Sequence, residues 1–153
     1  MHNRRCAELI GAVLDSSVIV AAHLSDSGAS AELLRLWREE QAYQIITSDD
    51  ILAELARVLL EHNVAEGIVE DFITALHVQA LLTNGLYIVD LIEADPTDNM
   101  FLAAALEGQA DYIVSLDNHL LRLGWYHGID IVRPALFLRR LREQRAASTT
   151  PDV

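Results

Sequence analysis

Apolar residues fall in short blocks separated by polar turns, and the blocks are of two kinds. Brief apolar runs that stop at polar or acidic residues predict buried strands over 11–15, 43–46, 86–91, 112–116 and 129–132. Between them, apolar positions at three- and four-residue spacing predict helices over 18–24, 31–40, 48–61, 64–82, 95–109 and 118–123, with a last helix from Pro134. Leu33, Leu34 and Trp37 share one face, and Ile51, Leu52, Leu55, Val58 and Leu59 form another stripe. Ser16 or Ser17 can cap the first helix, Thr47 or Ser48 the third, and Asp95 followed by Pro96 the fifth. Asn84-Gly85 marks a turn, and Gly124 stops the short sixth helix. Strands alternating with helices predict an α/β sandwich whose sheet is mostly parallel, with about five strands. A single domain is expected over 1–145, with a frayed tail over 146–153.

Four acidic residues break this pattern where a carboxylate is costly. Asp15 ends the run Ala12-Val13-Leu14, and Asp117 ends the run Tyr112-Ile113-Val114-Ser115-Leu116. Asp98 opens a helix that is apolar from Met100 to Leu106, and Glu54 lies beside an apolar stripe between Ile51 and Val58. Each has an ordinary explanation. Asp15 and Asp117 suit N-caps, Asp98 can face a helix dipole, and Glu54 can be a solvated helix residue. Their conjunction asks for more. Two parallel strands ending in Asp bring both carboxylates to one sheet edge, where open α/β sheets form ligand sites. Carboxylates gathered there repel one another, and a hard cation such as Mg²⁺ or Mn²⁺ resolves the repulsion. The pattern therefore points to metal-dependent phosphate chemistry. His119 reads as a partly exposed helix residue. His2, His23, His62, His77 and His127 share no metal-ligand spacing.

Composition sharpens this by exclusion. The apolar share of 52% argues against disorder. No apolar run approaches the ~18 residues of a membrane helix. Arg4 and Arg5 precede an apolar stretch, but Glu8 and Asp15 interrupt it, so no secretory signal is expected. Cys6 is the only cysteine, which excludes an intrachain disulfide and fits the cytoplasm. Lysine is absent. That removes Walker A loops, Schiff-base enzymes and protein kinases together. All permanent side-chain cations are arginines, which bind phosphate in a bidentate manner. The net charge of −12 opposes nucleic-acid binding as a whole. Six of the eleven cations nevertheless follow position 120: Arg122, Arg133, Arg139, Arg140, Arg142 and Arg145. Either they form a local basic face or they solvate the last helix.

Taken in order, VLDSSVIVAA, SDDILAEL, DPTDNMFLAAAL and YIVSLDNHLL resemble the PIN-domain family of nucleases. They resemble especially the bacterial members regarded as toxins of toxin–antitoxin pairs, whose pattern includes a DPxDN segment. The resemblance implies a three-layer α/β/α sandwich and Mg²⁺- or Mn²⁺-dependent cleavage of RNA. It places the family's four acids on Asp15, Glu54, Asp98 and Asp117. Asp15, Asp98 and Asp117 would bind the metal, with Glu54 completing the shell or orienting the attacking water. Asp95 matches the extra Asp of the DPxDN segment, and Asn99 follows Asp98 as there. Many members carry Asp-Thr-Asn after the first strand. Here Ser16-Ser17 follow Asp15, and Ser17 can still hydrogen-bond a carboxylate or a metal-bound water. Arg122 and Arg139 are the arginines expected on RNA. An antitoxin and a second copy of the chain are the expected partners, with Val20, Leu24, Leu34 and Trp37 as contact or plain core. A non-cutting PIN-like binding protein is the alternative, but such proteins lose acids and this chain keeps all four. A phosphatase of the haloacid-dehalogenase type is excluded by Ser17 and by the missing lysine.

Overall fold

The computed structural model describes residues 9–92 and 96–149. At its centre is β1 (Gly11–Leu14), four residues that are all buried. Its neighbours are β2 (Gln44–Ser48) and β4 (Tyr112–Val114), both parallel to it. Beyond β2 lies β3 (Leu81–Thr83), and beyond β4 lies β6 (Ile129–Val132), again parallel. A two-residue strand, β5 (Trp125–Tyr126), pairs antiparallel with β6 at the edge. The order of the six-stranded sheet is β3-β2-β1-β4-β6-β5.

The helices are α1 (Ser16–Leu24), α2 (Ala29–Arg35), α3 (Asp49–Glu61), α4 (Glu66–Gln79), α5 (Asn99–Glu107), α6 (Asn118–Leu121) and α7 (Pro134–Thr149). A π-helical turn, Leu36–Glu40, prolongs α2, and a 3₁₀ turn, Pro96–Asp98, precedes α5. The chain steps outward from β1 to β2 to β3, then crosses back to β4. Right-handed crossovers put helices of the outward and returning steps on opposite faces, so α5 covers the face opposite α1 to α4. It packs across β1, β2 and β4, while α7 lies on α2 and β4. The result is the three-layer α/β/α sandwich that the family resemblance implies.

Local chemistry explains the main joints. Ser48 caps α3 by accepting from the Ile51 N–H at 3.3 Å, and Ile51, Leu52, Leu55 and Leu59 are buried on one stripe. Tyr43 is buried among the core residues and donates to the Leu33 carbonyl at 2.8 Å. At the end of α5 a Cβ on Gly108 would stand 2.5 Å from Ile46 Cγ2, so only glycine lets the helix end press on β2. On the far side of the sheet Arg145 of α7 pairs with Glu40 at 2.6 Å, and Arg35 holds Glu32, Glu39 and Glu40.

Several expectations need correction. The third strand is Leu81–Thr83, not 86–91. The predicted helix over 64–82 therefore stops early, at Gln79. Residues 86–91 have strand-forming side chains, but their backbone is held elsewhere. The N–H groups of Asn84, Leu86 and Tyr87 donate to the Glu107 carboxylate, and those of Leu91 and Ile92 to Asn99. The last helix continues to Thr149, so 146–149 are helical rather than frayed. Asp15, not Ser16 or Ser17, is the N-cap of α1. Leu34 and Trp37 belong to the core, and Leu24 is exposed.

Candidate metal centre

Between β1 and β4 the winding of the sheet reverses, which is the switch point where open α/β sheets bind ligands. Asp15 follows β1 there, and Ser115, Leu116 and Asp117 follow β4. Asp15 is 2% exposed. Its Oδ1 accepts from the Ser17 hydroxyl at 2.6 Å and from the Val18 N–H at 3.2 Å, and its Oδ2 accepts a short bond from the Ser115 hydroxyl. The serines also bridge to the next strand end. Ser17 Oγ accepts from the Leu116 N–H at 2.9 Å, and Ser115 Oγ from the Asp117 N–H at 2.8 Å. Burial pushes the Asp15 carboxyl above its ordinary value. Hydrogen bonds from Ser115, Ser17 and Val18 pull the other way without cancelling it, and the Asp117 charge adds to the rise.

Asp117 caps α6, its Oδ1 accepting from the His119 N–H at 2.8 Å. His119 Nδ1 lies 3.4 Å from the same oxygen. Asp98, 5% exposed, comes in from the 3₁₀ turn before α5. One ligand atom each from Asp98, Asp117 and His119 lie within 4.8 Å of one another. Two ligands of one small cation at ~2.1 Å can be up to ~4.2 Å apart, so a small side-chain rotation suffices. Two hard carboxylate oxygens and an imidazole, with a third carboxylate behind them, fit a divalent cation.

A cavity of about 490 Å³ opens over Asp98 and Asp117, lined also by Ser17, Glu54, Arg57 and His62 among others, with His119 outside its lining. Glu54 is thus in the same space as two of the aspartates. Its side chain is 12% exposed, and Arg57 grips it through Nε at 2.8 Å and Nη2 at 2.5 Å. Arg57 also pairs with Glu61 at 2.5 Å. Asp15 does not line the cavity and reaches it through Ser17.

The other sequence candidates lie elsewhere. Asn99 Oδ1 accepts from the Leu91 and Ile92 N–H groups at 3.0 and 2.8 Å, and its Nδ2 donates to the Ile92 carbonyl at 3.0 Å. It holds the chain ahead of the acidic turn instead of touching the carboxylates. Asp95 is outside the described residues. Arg122 is exposed at the end of α6, and Arg139 is 69% exposed beside Glu143; neither lines the cavity. Two residues near the carboxylates are not among those that the sequence pattern singles out for the site. Arg57 was visible as the i+3 partner of Glu54. His119 was visible only as the residue two places after Asp117.

Residues 11–119 match a family model described as PIN domain. That span begins at β1, ends at His119 and contains all four acids. Proteins with this domain are typically metal-dependent nucleases. No curated protein matches the chain.

Proposed function

Because the chain belongs to the PIN-domain family, we propose that it is a metal-dependent endoribonuclease and the toxin of a toxin–antitoxin pair. The observation that carries this is the convergence of Asp98 and Asp117 beneath a cavity shared with Glu54. Asp98 and Asp117, with Asp15 behind them, would hold Mg²⁺ or Mn²⁺. A cation bound there supplies a water of lowered pKa and draws charge from the scissile phosphate.

The chain's own residues do the rest. Ser17 and Ser115 fix the Asp15 carboxylate and tie the ends of β1 and β4 together, so the acids keep their spacing without ligand. Glu54 faces the cavity and accepts the proton of the attacking water. Arg57 positions Glu54, and with its side chain 56% exposed its guanidinium offers remaining donors to a phosphate oxygen. Arg122 and Arg139 serve as outer contacts to the RNA backbone. A chain of net charge −12 suits a basic antitoxin segment as its silencing partner. Action in the cytoplasm and a homodimeric state complete the proposal. Among the described residues no helix is long and apolar enough to cross a membrane.

The test is incubation of an end-labelled, structured RNA with pure protein in EDTA, Mg²⁺ or Mn²⁺, beside Asp98→Asn. Cleavage that needs metal and falls at least ~100-fold in the variant is expected, since even outer partners of a metal site cost up to that much. Cleavage that persists in EDTA, or that Asp98→Asn leaves intact, would overturn the proposal.

A further inference from the structure

His119 has no part in a site made of four acids, yet its ligand atom converges with those of Asp98 and Asp117. Two other histidines offer a contrast. His23 on α1 and His62 at the C-cap of α3 each set Nδ1 2.9 Å from the carbonyl four residues earlier, at Ile19 and Val58. The ring of His119, at the start of four-residue α6, is directed at carboxylates instead.

We propose that His119 is a ligand of this centre, and that its imidazole makes the centre select a divalent transition cation over Mg²⁺. This rests on the metal-centre reading above and adds a ligand and a cation class to it. Neighbouring ligands of one small cation at ~2.1 Å sit ~3.0 Å apart when they subtend a right angle. The 3.4 Å between His119 Nδ1 and Asp117 Oδ1 is close to that span. The side chains of His119 and Asp117 are 42% and 26% exposed, so a cation reaches them from solvent.

The consequence for selectivity follows from donor chemistry. Mg²⁺ takes oxygen ligands and keeps much of its water. Imidazole nitrogen instead suits transition cations, with a gain that is smallest for Mn²⁺ and grows through Fe²⁺ to Co²⁺, while carboxylates accept either class. Mg²⁺ therefore gains only the carboxylates here, whereas Mn²⁺, Fe²⁺ or Co²⁺ gains the nitrogen as well. Replacing the imidazole should cost the transition cation and leave Mg²⁺ nearly untouched.

The experiment uses the full chain with Mn²⁺ and Mg²⁺ as probes, by calorimetric titration and by pulsed electron paramagnetic resonance of bound Mn²⁺. Wild type should bind Mn²⁺ more tightly than Mg²⁺, and the bound Mn²⁺ should show ¹⁴N hyperfine coupling from a directly ligated imidazole. His119→Asn should abolish that coupling and weaken Mn²⁺ by about tenfold or more, the scale of lost support at metal sites, while Mg²⁺ affinity stays within about twofold. His119→Asp should keep both cations and lose the preference. Bound Mn²⁺ without ¹⁴N coupling, or a preference that His119→Asn leaves unchanged, would overturn the role of His119 while the acidic centre stands. Failure of wild type to bind either cation would overturn the metal centre itself, and His119 with it. The wild-type spectrum needs no variant, so a misfolded mutant cannot decide the matter.

Discussion

Asp15 carries two opposed demands. It caps α1 and receives two serine hydroxyls, as a structural aspartate would, yet burial makes its charge unfavourable in the chain without metal. Asparagine has nearly the same shape, and the Ser115 hydroxyl can turn to accept where it now donates. Asp15→Asn should therefore raise the melting temperature in EDTA, by roughly 2–4 °C for each kcal/mol of relieved desolvation in a chain of this size. Saturating Mn²⁺ should reverse the order. A ligand at 100 times its dissociation constant stabilises the folded state by ~2.7 kcal/mol, and the variant would lose most of that gain. Thermal denaturation with and without metal checks both halves. A variant that melts lower in EDTA would mean that Asp15 is chiefly a structural cap.

Among the elements, the irregular segment between β3 and α5 depends most on side chains to hold its backbone. Glu107 accepts from the N–H groups of Asn84, Leu86 and Tyr87, and Asn99 holds Leu91 and Ile92. Desolvation pushes the Glu107 carboxyl up, but the bonds from Asn84, Leu86, Tyr87 and Gly85 outweigh it and hold the group below its ordinary 4.5. A depressed acid lends its stabilisation fully above that ordinary value and loses it as pH falls through the folded value. The amide resonances of Asn84, Leu86 and Tyr87 should therefore shift together in one titration with a midpoint below 4.5. Glu107→Ala should remove that titration and speed hydrogen exchange at the same amides at neutral pH. A midpoint at or above 4.5 would contradict the clamp.

The same segment shows where sequence patterning stops. A run of Leu86, Tyr87, Ile88 and Val89 looks like a strand because strand propensity mostly reports a half-buried pleated surface. Here the surface is absent: Leu86 is 75% exposed and Ile88 93%. Which backbone groups are already occupied by a glutamate twenty residues away is not written in any local pattern. The two-residue β5 is too short to show a period at all. By contrast, β1, β2, β4 and β6 were legible, because each is a short apolar run closed by a polar residue. Asp15 and Asp117 were legible for the same reason, since strand polarity alone sends both to one edge. The contact of Glu54 with Arg57 follows from their spacing, but the turn of Glu54 toward the cavity and the contact of His119 with Asp117 depend on helix rotation and loop path, which spacing alone leaves open.

For the whole molecule, the chief difficulty is an acidic protein that is to act on a polyanion. The arginines of α7 do not resolve it by forming a bare basic face. Arg145 pairs with Glu40, Arg139 lies beside Glu143, and Arg140 reaches the Tyr112 hydroxyl at 3.4 Å. Local charge at the cavity must do most of the work, through a bound cation and Arg57, with Arg122 and Arg139 adding only outer contacts. Cleavage should then weaken with added salt less steeply than for enzymes that grip many phosphates, because few counterions are released. The chemistry of the cut is the sharper test. RNA fragments made by the wild-type protein with Mn²⁺ or Mg²⁺ should be analysed for their ends. Attack by a metal-activated water predicts a 5′-phosphate on one fragment and a 3′-hydroxyl on the other. A 2′,3′-cyclic phosphate would show that the substrate's own 2′-hydroxyl attacked, and would contradict a hydrolytic centre built on Asp15, Asp98 and Asp117.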